Sequence, residues 1–154
     1  AGDSADAYDR AMKMGTTIRI ERPAEEVFEF ISGFSHNPEW QSGMKSAEWT
    51  SDEPIGVGST YDQVARFMGQ DIKTSFEVTA FEPGRSITIE SRESGFPIRV
   101  TRSVEPLSGT ACEVTADVSG EPGRFFGFVG RLLDRRAARA VREDYPRLKE
   151  MLES

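Results

Sequence analysis

From 122 to about 153 apolar residues recur at helical spacing, while almost everything from Thr16 to that segment alternates with a period of two. The helical positions are Phe125, Val129, Leu132, Leu133, Ala137, Ala140, Val141, Leu148, Met151 and Leu152, a stripe that must be buried against something. A chain of 154 residues makes one domain with an ordinary core, so the available partner is the sheet formed by the preceding strands. The helix is not a regular brace. Gly123, Gly127 and Gly130 fall on one face near its start, and Pro146 interrupts it near the end.

The first strand is expected at 16–21, where Ile18 and Ile20 alternate with Arg19 and Glu21. Pro23 then opens a helix: proline suits the first position, Glu25 and Glu26 favour its positive end, and Val27, Phe28 and Ile31 give an apolar face before Gly33. Residues 35–41 read as a loop or single helical turn carrying His36, Pro38 and Trp40. Strands follow near 44–51, 59–68, 71–81, 86–93, 97–105 and 110–119. They are separated by the hairpin signals Gly56 and Gly58, Gly69, Pro83 with Gly84, Gly95, and Ser108 with Gly109. Short connections make neighbours antiparallel. One face carries Ile72, Phe76, Val78 and Ala80, then Ile87 and Ile89, Ile98, Val100 and Val104, and Cys112, Val114, Ala116 and Val118. The other carries Lys73, Glu77, Thr88, Glu90, Arg99, Thr101 and Glu113, the pattern of a sheet covered on one side.

A net charge of -7 argues against nucleic acid as a partner, since phosphate binding needs clustered Lys and Arg. The single cysteine, Cys112, allows no intramolecular disulfide, and no CxxC or Cys/His cluster offers a metal site. No apolar run approaches the roughly 18 residues of a membrane span. The acidic start, with Asp3, Asp6 and Asp9, is unlike the basic region of a signal peptide. A cytoplasmic protein is expected. Residues 1–15, beginning at Ala1, are expected to be a flexible tail or added residues, with one domain over 16–154.

The order of strand, two short helices, six antiparallel strands and long C-terminal helix resembles the START-like, helix-grip superfamily, also called SRPBCC. More narrowly it is similar to the polyketide cyclase/dehydrase and lipid transport family. The resemblance covers about 16–153 and rests on Pro23-Ala24-Glu25-Glu26-Val27-Phe28 followed by Pro38-Glu39-Trp40. Further matches are Gly56-Val57-Gly58-Ser59, Phe76-Glu77-Val78 with Glu82-Pro83, and the ending Arg147-Leu148-Lys149-Glu150-Met151-Leu152-Glu153. It implies an α+β helix-grip fold, a curved seven-stranded antiparallel sheet around the last helix, with a hydrophobic cavity between them. Superfamily members bind lipids, sterols, polyketides or plant hormones, and a minority catalyse cyclisation or dehydration. Pro146 departs from the pattern, which more often has an unbroken final helix.

Arg102 is the sharpest anomaly, being in phase with Ile98, Val100 and Val104. It is either a cavity anchor for a carboxylate, phosphate or polarised carbonyl, or a rim residue reaching solvent; the rarity of fully buried arginine favours the second. On strand 59–68 the inward set Tyr61, Gln63, Ala65 and Phe67 hides fewer charges than Thr60, Asp62, Val64, Arg66 and Met68. Tyr61 and Gln63 then either orient a ligand or make ordinary hydrogen bonds within the fold. Trp49 and Phe76 line the same space or are simply core. Ile89, Val100, Phe125, Phe128 and Leu132 complete the candidate cavity lining. His36, the one histidine, reads as a surface-loop residue, as nothing positions it and no nucleophile motif accompanies it. Arg131, Arg135, Arg139 and Arg142 read as a solvated helix face beside Asp134, Glu143 and Asp144, or as a dock for a membrane or an acidic partner. Three glycines in a helix permit close packing or movement, and with Phe125, Phe126 and Phe128 between them 123–130 is a candidate aromatic gate.

The resulting expectation is a binder, transporter or sensor of a small hydrophobic or amphipathic molecule, with no metal and no covalent cofactor. Two alternatives stand. One is a cyclase/aromatase or dehydratase in which Arg102, Tyr61 or Gln63 polarises a carbonyl; the other is a regulatory or protein-interaction module. No residue is assigned a catalytic role at this level.

Overall fold

The computed structural model describes residues 13–67, 69–92, 98–120, 135 and 138–154. Seven strands form one antiparallel sheet in the order β1-β7-β6-β5-β4-β3-β2. They are β1 (Lys13–Ile20), β2 (Met44–Trp49), β3 (Thr60–Phe67), β4 (Gln70–Glu82), β5 (Ser86–Ser91), β6 (Ile98–Pro106) and β7 (Cys112–Gly120). Six follow one another as hairpins, and β1 closes the meander by pairing with β7 from Lys13↔Ser119 to Ile20↔Cys112. The strand thus begins at Lys13, and residues 13–15, expected in the tail, are part of the sheet. Gly69 and Gly84 have φ of 78°, a left-handed conformation that glycine alone adopts without a Cβ penalty, and each turns one hairpin.

The alternation matches the observed faces with one exception. Phe76 and Val78 are buried, but Ala80 is exposed, because the register shifts between Val78 and Ala80. A bulge inserts an extra residue and reverses the phase beyond it. Phe81, not Ala80, then turns to the core, where its ring lies 6.1 Å from that of Phe28. On β3 the inward set is the one carrying Tyr61 and Ala65, both buried, while Arg66 is exposed.

Between β1 and β2 lie α1 (Ala24–Ser32), a 3₁₀ turn (Phe34–His36) and α2 (Asn37–Trp40). Helix α1 has Glu25 and Glu26 in its first turn and buries Val27, Phe28 and Ile31, packing mainly on β6. The described part of the C-terminal helical region comprises a π-helical turn (Ala140–Asp144) and α3 (Tyr145–Glu153). The interruption expected at Pro146 takes this form: proline sits in the first turn of α3 and the wider π turn precedes it, accommodating a residue that can donate no backbone hydrogen bond.

The stretch on both sides of Pro146, where the sequence marks an interruption, is firmly held. Leu148 is 0% exposed, and Tyr145 packs edge-on against Trp40 at 5.0 Å. Asp144 accepts hydrogen bonds from the Ser42 amide and hydroxyl at 3.1 and 2.7 Å. Arg22 Nε donates to the Leu152 carbonyl at 2.6 Å, Lys149 Nζ to the Arg19 carbonyl at 2.8 Å, and the Glu21 amide to Glu153 at 2.8 Å. These contacts clamp α3 to the end of β1 and to the chain leading into α1.

Among the described residues four carboxyl groups lie below their ordinary values of 3.8 for Asp and 4.5 for Glu: Asp62 through the Ser75 hydroxyl, Asp71 through Lys45, Glu90 through Thr79 and Glu153 through Lys149. With the folded value depressed, the unfolded chain takes up protons first, so this stabilisation is present above the ordinary value and is lost as pH falls through the folded one. All four sites are solvated, which keeps the effect modest. The thermal midpoint is expected to hold down to about pH 5 and to decline below about pH 4. Asp62→Asn with Glu153→Gln should flatten that decline in circular-dichroism melts; a midpoint that rises on acidification contradicts the assignment.

Candidate functional site

The concave face of the sheet changes character along its length. At the end covered by α1 it is closed: Ile87, Arg102, Val104, Cys112 and Val114 are buried. Towards the other end the same strands are only partly covered at Ile98, Val100 and Val118, as are Gln63 on β3 and Ile72 and Thr74 on β4. Register aligns Ile89 with Val100 and Val100 with Val118, giving a smooth aliphatic floor. Apolar surface left half covered inside a curled sheet is what a hydrophobic ligand would complete.

Aromatic rings form one wall. Trp49, Tyr61 and Phe76 face one another across β2, β3 and β4 in register. Tyr61 stacks on Phe76 at 5.3 Å and on Phe34 at 5.1 Å, and Trp49 lies 5.4 Å from Tyr61. The Tyr61 hydroxyl donates to Gln63 Oε1 at 3.4 Å. The sequence candidates Trp49, Tyr61, Gln63, Phe76, Ile89 and Val100 thus share one face, while Phe125, Phe128, Leu132 and the candidate gate at 123–130 lie outside the described residues.

Arg102 belongs to the closed end. It is 2% exposed, so the expectation that it reaches solvent at a rim is overturned. Its side chain spans from β6 to the end of α1, where Nη1 donates to the Ile31 carbonyl and to Asn37 Oδ1, both at 2.9 Å. Its guanidinium carbon lies 4.4 Å from the centre of the Phe34 ring and 4.9 Å from that of Trp40. The negative end of a helix, a neutral amide and two π faces therefore replace a carboxylate partner. Burial pushes the Tyr145 phenol up, and the nearby Arg102 guanidinium pulls the other way.

Phe34, Asn37 and Tyr145 are the residues sequence reasoning did not single out. Tyr145 carried a usable signal, standing three residues before Leu148 in the helical stripe; Asn37 carried none. His36 is half buried, stacked on Phe30 at 4.5 Å and paired through Nδ1 with Glu39. Glu77 pairs with Arg92 at 3.9 Å. Arg135, Arg139 and Arg142 are exposed, Arg139 beside Glu143 at 3.7 Å. The outer face has an open depression lined by Thr79, Ala80, Thr88, Glu90, Arg99 and Thr101, polar and unlike the aromatic-walled concave side.

A curled seven-stranded sheet, short helices after the first strand and a C-terminal helix define a START-like helix-grip protein. The family model described as "Polyketide cyclase / dehydrase and lipid transport" matches residues 11–153, and the chain belongs to that family. Among solved structures it is similar to a START superfamily protein from Mycobacterium smegmatis, with TM-score 0.74 and 16% identity over 92% of this chain and 97% of that one. It is also similar to the Zhui aromatase/cyclase from Streptomyces sp. R1128, with TM-score 0.73 and 12% identity over 90% and 92%. A protein from Thermus thermophilus gives TM-score 0.70 and 20% identity over 90% and 94%. At these identities the likeness is one of fold. No curated protein matches the sequence. Among the described residues, no helix is long and apolar enough to cross a membrane.

Proposed function

We propose that this protein binds a small hydrophobic or amphipathic molecule on the concave face of its sheet, to carry or sense it in the cytoplasm. The observation that carries this reading is the half-covered aliphatic floor of Ile98, Val100 and Val118 beside the wall of Trp49, Tyr61 and Phe76. The Tyr61 and Gln63 pair adds a polar handle to an otherwise apolar lining, the combination that orients a small ligand. Family membership supports the same reading. Native mass spectrometry of the protein purified from its own host is expected to show a retained non-covalent ligand, released on denaturation. Uniformly ligand-free protein that also takes up no added hydrophobic compound contradicts it.

The likeness to the Zhui aromatase/cyclase favours a second reading, a cyclase or dehydratase acting on a ligand held in the same place. Tyr61 and Gln63 would then polarise a carbonyl, because Arg102 is sealed at the closed end, with Nη1 given to Ile31 and Asn37. Conversion of a bound polyketone into a product one water lighter separates the enzyme from the binder.

A further inference from the structure

Among the described residues three buried side-chain polar atoms have no hydrogen-bond partner: Trp40 Nε1, Trp49 Nε1 and Arg102 Nε. All three are donors, and no buried acceptor is left over with them. Buried polar groups are normally paired, so an excess of one kind is a chemical feature of the interior. Two of the three are enclosed by the protein itself. Trp40 is 0% exposed, with Tyr145 against one side and the Arg102 guanidinium over its ring, and Arg102 lies against the rings of Phe34 and Trp40.

Trp49 is different. It stands on the concave face beside Tyr61, and although its N–H is buried the residue keeps part of its surface uncovered. Two ladder positions away Gln63 uses Oε1 to accept from Tyr61, which leaves its amide N–H groups as further donors. In this corner the Trp49 indole N–H is the buried donor left without an acceptor.

Resting on the binding function above, we propose that Trp49 is a specificity-determining residue whose indole N–H donates to a neutral acceptor on the ligand, such as a ketone oxygen. Neutrality follows from Arg102. It is the one buried cation among the described residues, and its contacts with Ile31, Asn37, Phe34 and Trp40 hold it at the closed end. A carboxylate drawn into the Trp49 corner would lose its water without gaining a buried countercharge from any of the described residues.

The test uses three bicyclic probes of one skeleton: 1-tetralone, tetralin and 1,2,3,4-tetrahydro-1-naphthoate. The chain has two tryptophans, so a ¹⁵N-labelled sample gives two indole N–H signals, and Trp49→Phe assigns them while keeping an aromatic ring. Tetralone is expected to move the Trp49 indole proton downfield, and tetralin is not. The ratio of tetralin to tetralone dissociation constants should fall about tenfold in Trp49→Phe, the scale of one hydrogen bond. The naphthoate should bind at least about tenfold more weakly than tetralone at pH 7. Binding of tetralone with the Trp49 signal unmoved, an unchanged ratio in Trp49→Phe, or preference for the naphthoate overturns the inference while leaving the binding function intact. Absence of binding by all three probes, with every backbone signal unmoved, overturns both.

Discussion

Arg102→Met is expected to lower stability by about 3 kcal/mol and the thermal midpoint by about 10 °C. Methionine retains much of the hydrocarbon stem, so the cost comes from the polar end. The change removes two charge-assisted hydrogen bonds of 2.9 Å and leaves the Ile31 carbonyl, at the end of α1, and Asn37, 2% exposed, without their buried donor. It also removes a cation held against the Phe34 and Trp40 rings. Arg102→Lys should recover little, since an ammonium lacks the planar guanidinium that lies against the Phe34 and Trp40 rings while Nη1 reaches both acceptors. Urea denaturation of the three proteins measures this directly. A ligand anchor with no structural duty would give a change within about 0.5 kcal/mol, and that result would return Arg102 to the binding site.

The same residue shows where sequence stops being informative. That Arg102 lies on the inner face was legible from its phase with Ile98, Val100 and Val104. What it does there was not, because its partners Ile31 and Asn37 are 71 and 65 positions away and one of them is a backbone oxygen. A buried arginine without a carboxylate is rare enough that residue type alone points towards solvent; a helix end and two rings reverse that expectation through tertiary placement. The strands themselves were readable because one face is buried and the other solvated, which imposes a period of two. That rule failed at Ala80, where a bulge resets the phase and leaves no mark in side-chain polarity.

The concave wall was legible for a related reason. Trp49, Tyr61 and Phe76 are large residues at inward positions of adjacent strands, and hairpin register brings such positions side by side. Phe34, which stacks on Tyr61, was not found because it comes from the short turn after α1, whose docking on the sheet no periodicity encodes. The C-terminal region divides similarly. Pro146 announced an irregularity, but the hydrogen bonds that clamp α3 to Glu21, Arg22 and Ser42 join residues 102 to 132 positions apart.

The second large effect concerns the floor of the proposed site. Val100 lies on β6 between Ile89 and Val118 in register and is only half covered, whereas Arg102 two residues along is sealed. If the ligand lies on this floor, Val100→Trp should occupy the room it needs, and it should cost less in folding than the same change at a sealed position, because Val100 is only partly covered. Titration with the fluorescent probe N-phenyl-1-naphthylamine tests the central claim most directly. Wild-type protein is expected to bind it, and folded Val100→Trp to bind at least about tenfold more weakly. A comparable substitution on the outer face, Thr101→Trp, should leave binding as it was. Undiminished binding in Val100→Trp, or loss confined to Thr101→Trp, would contradict the concave face as the ligand site.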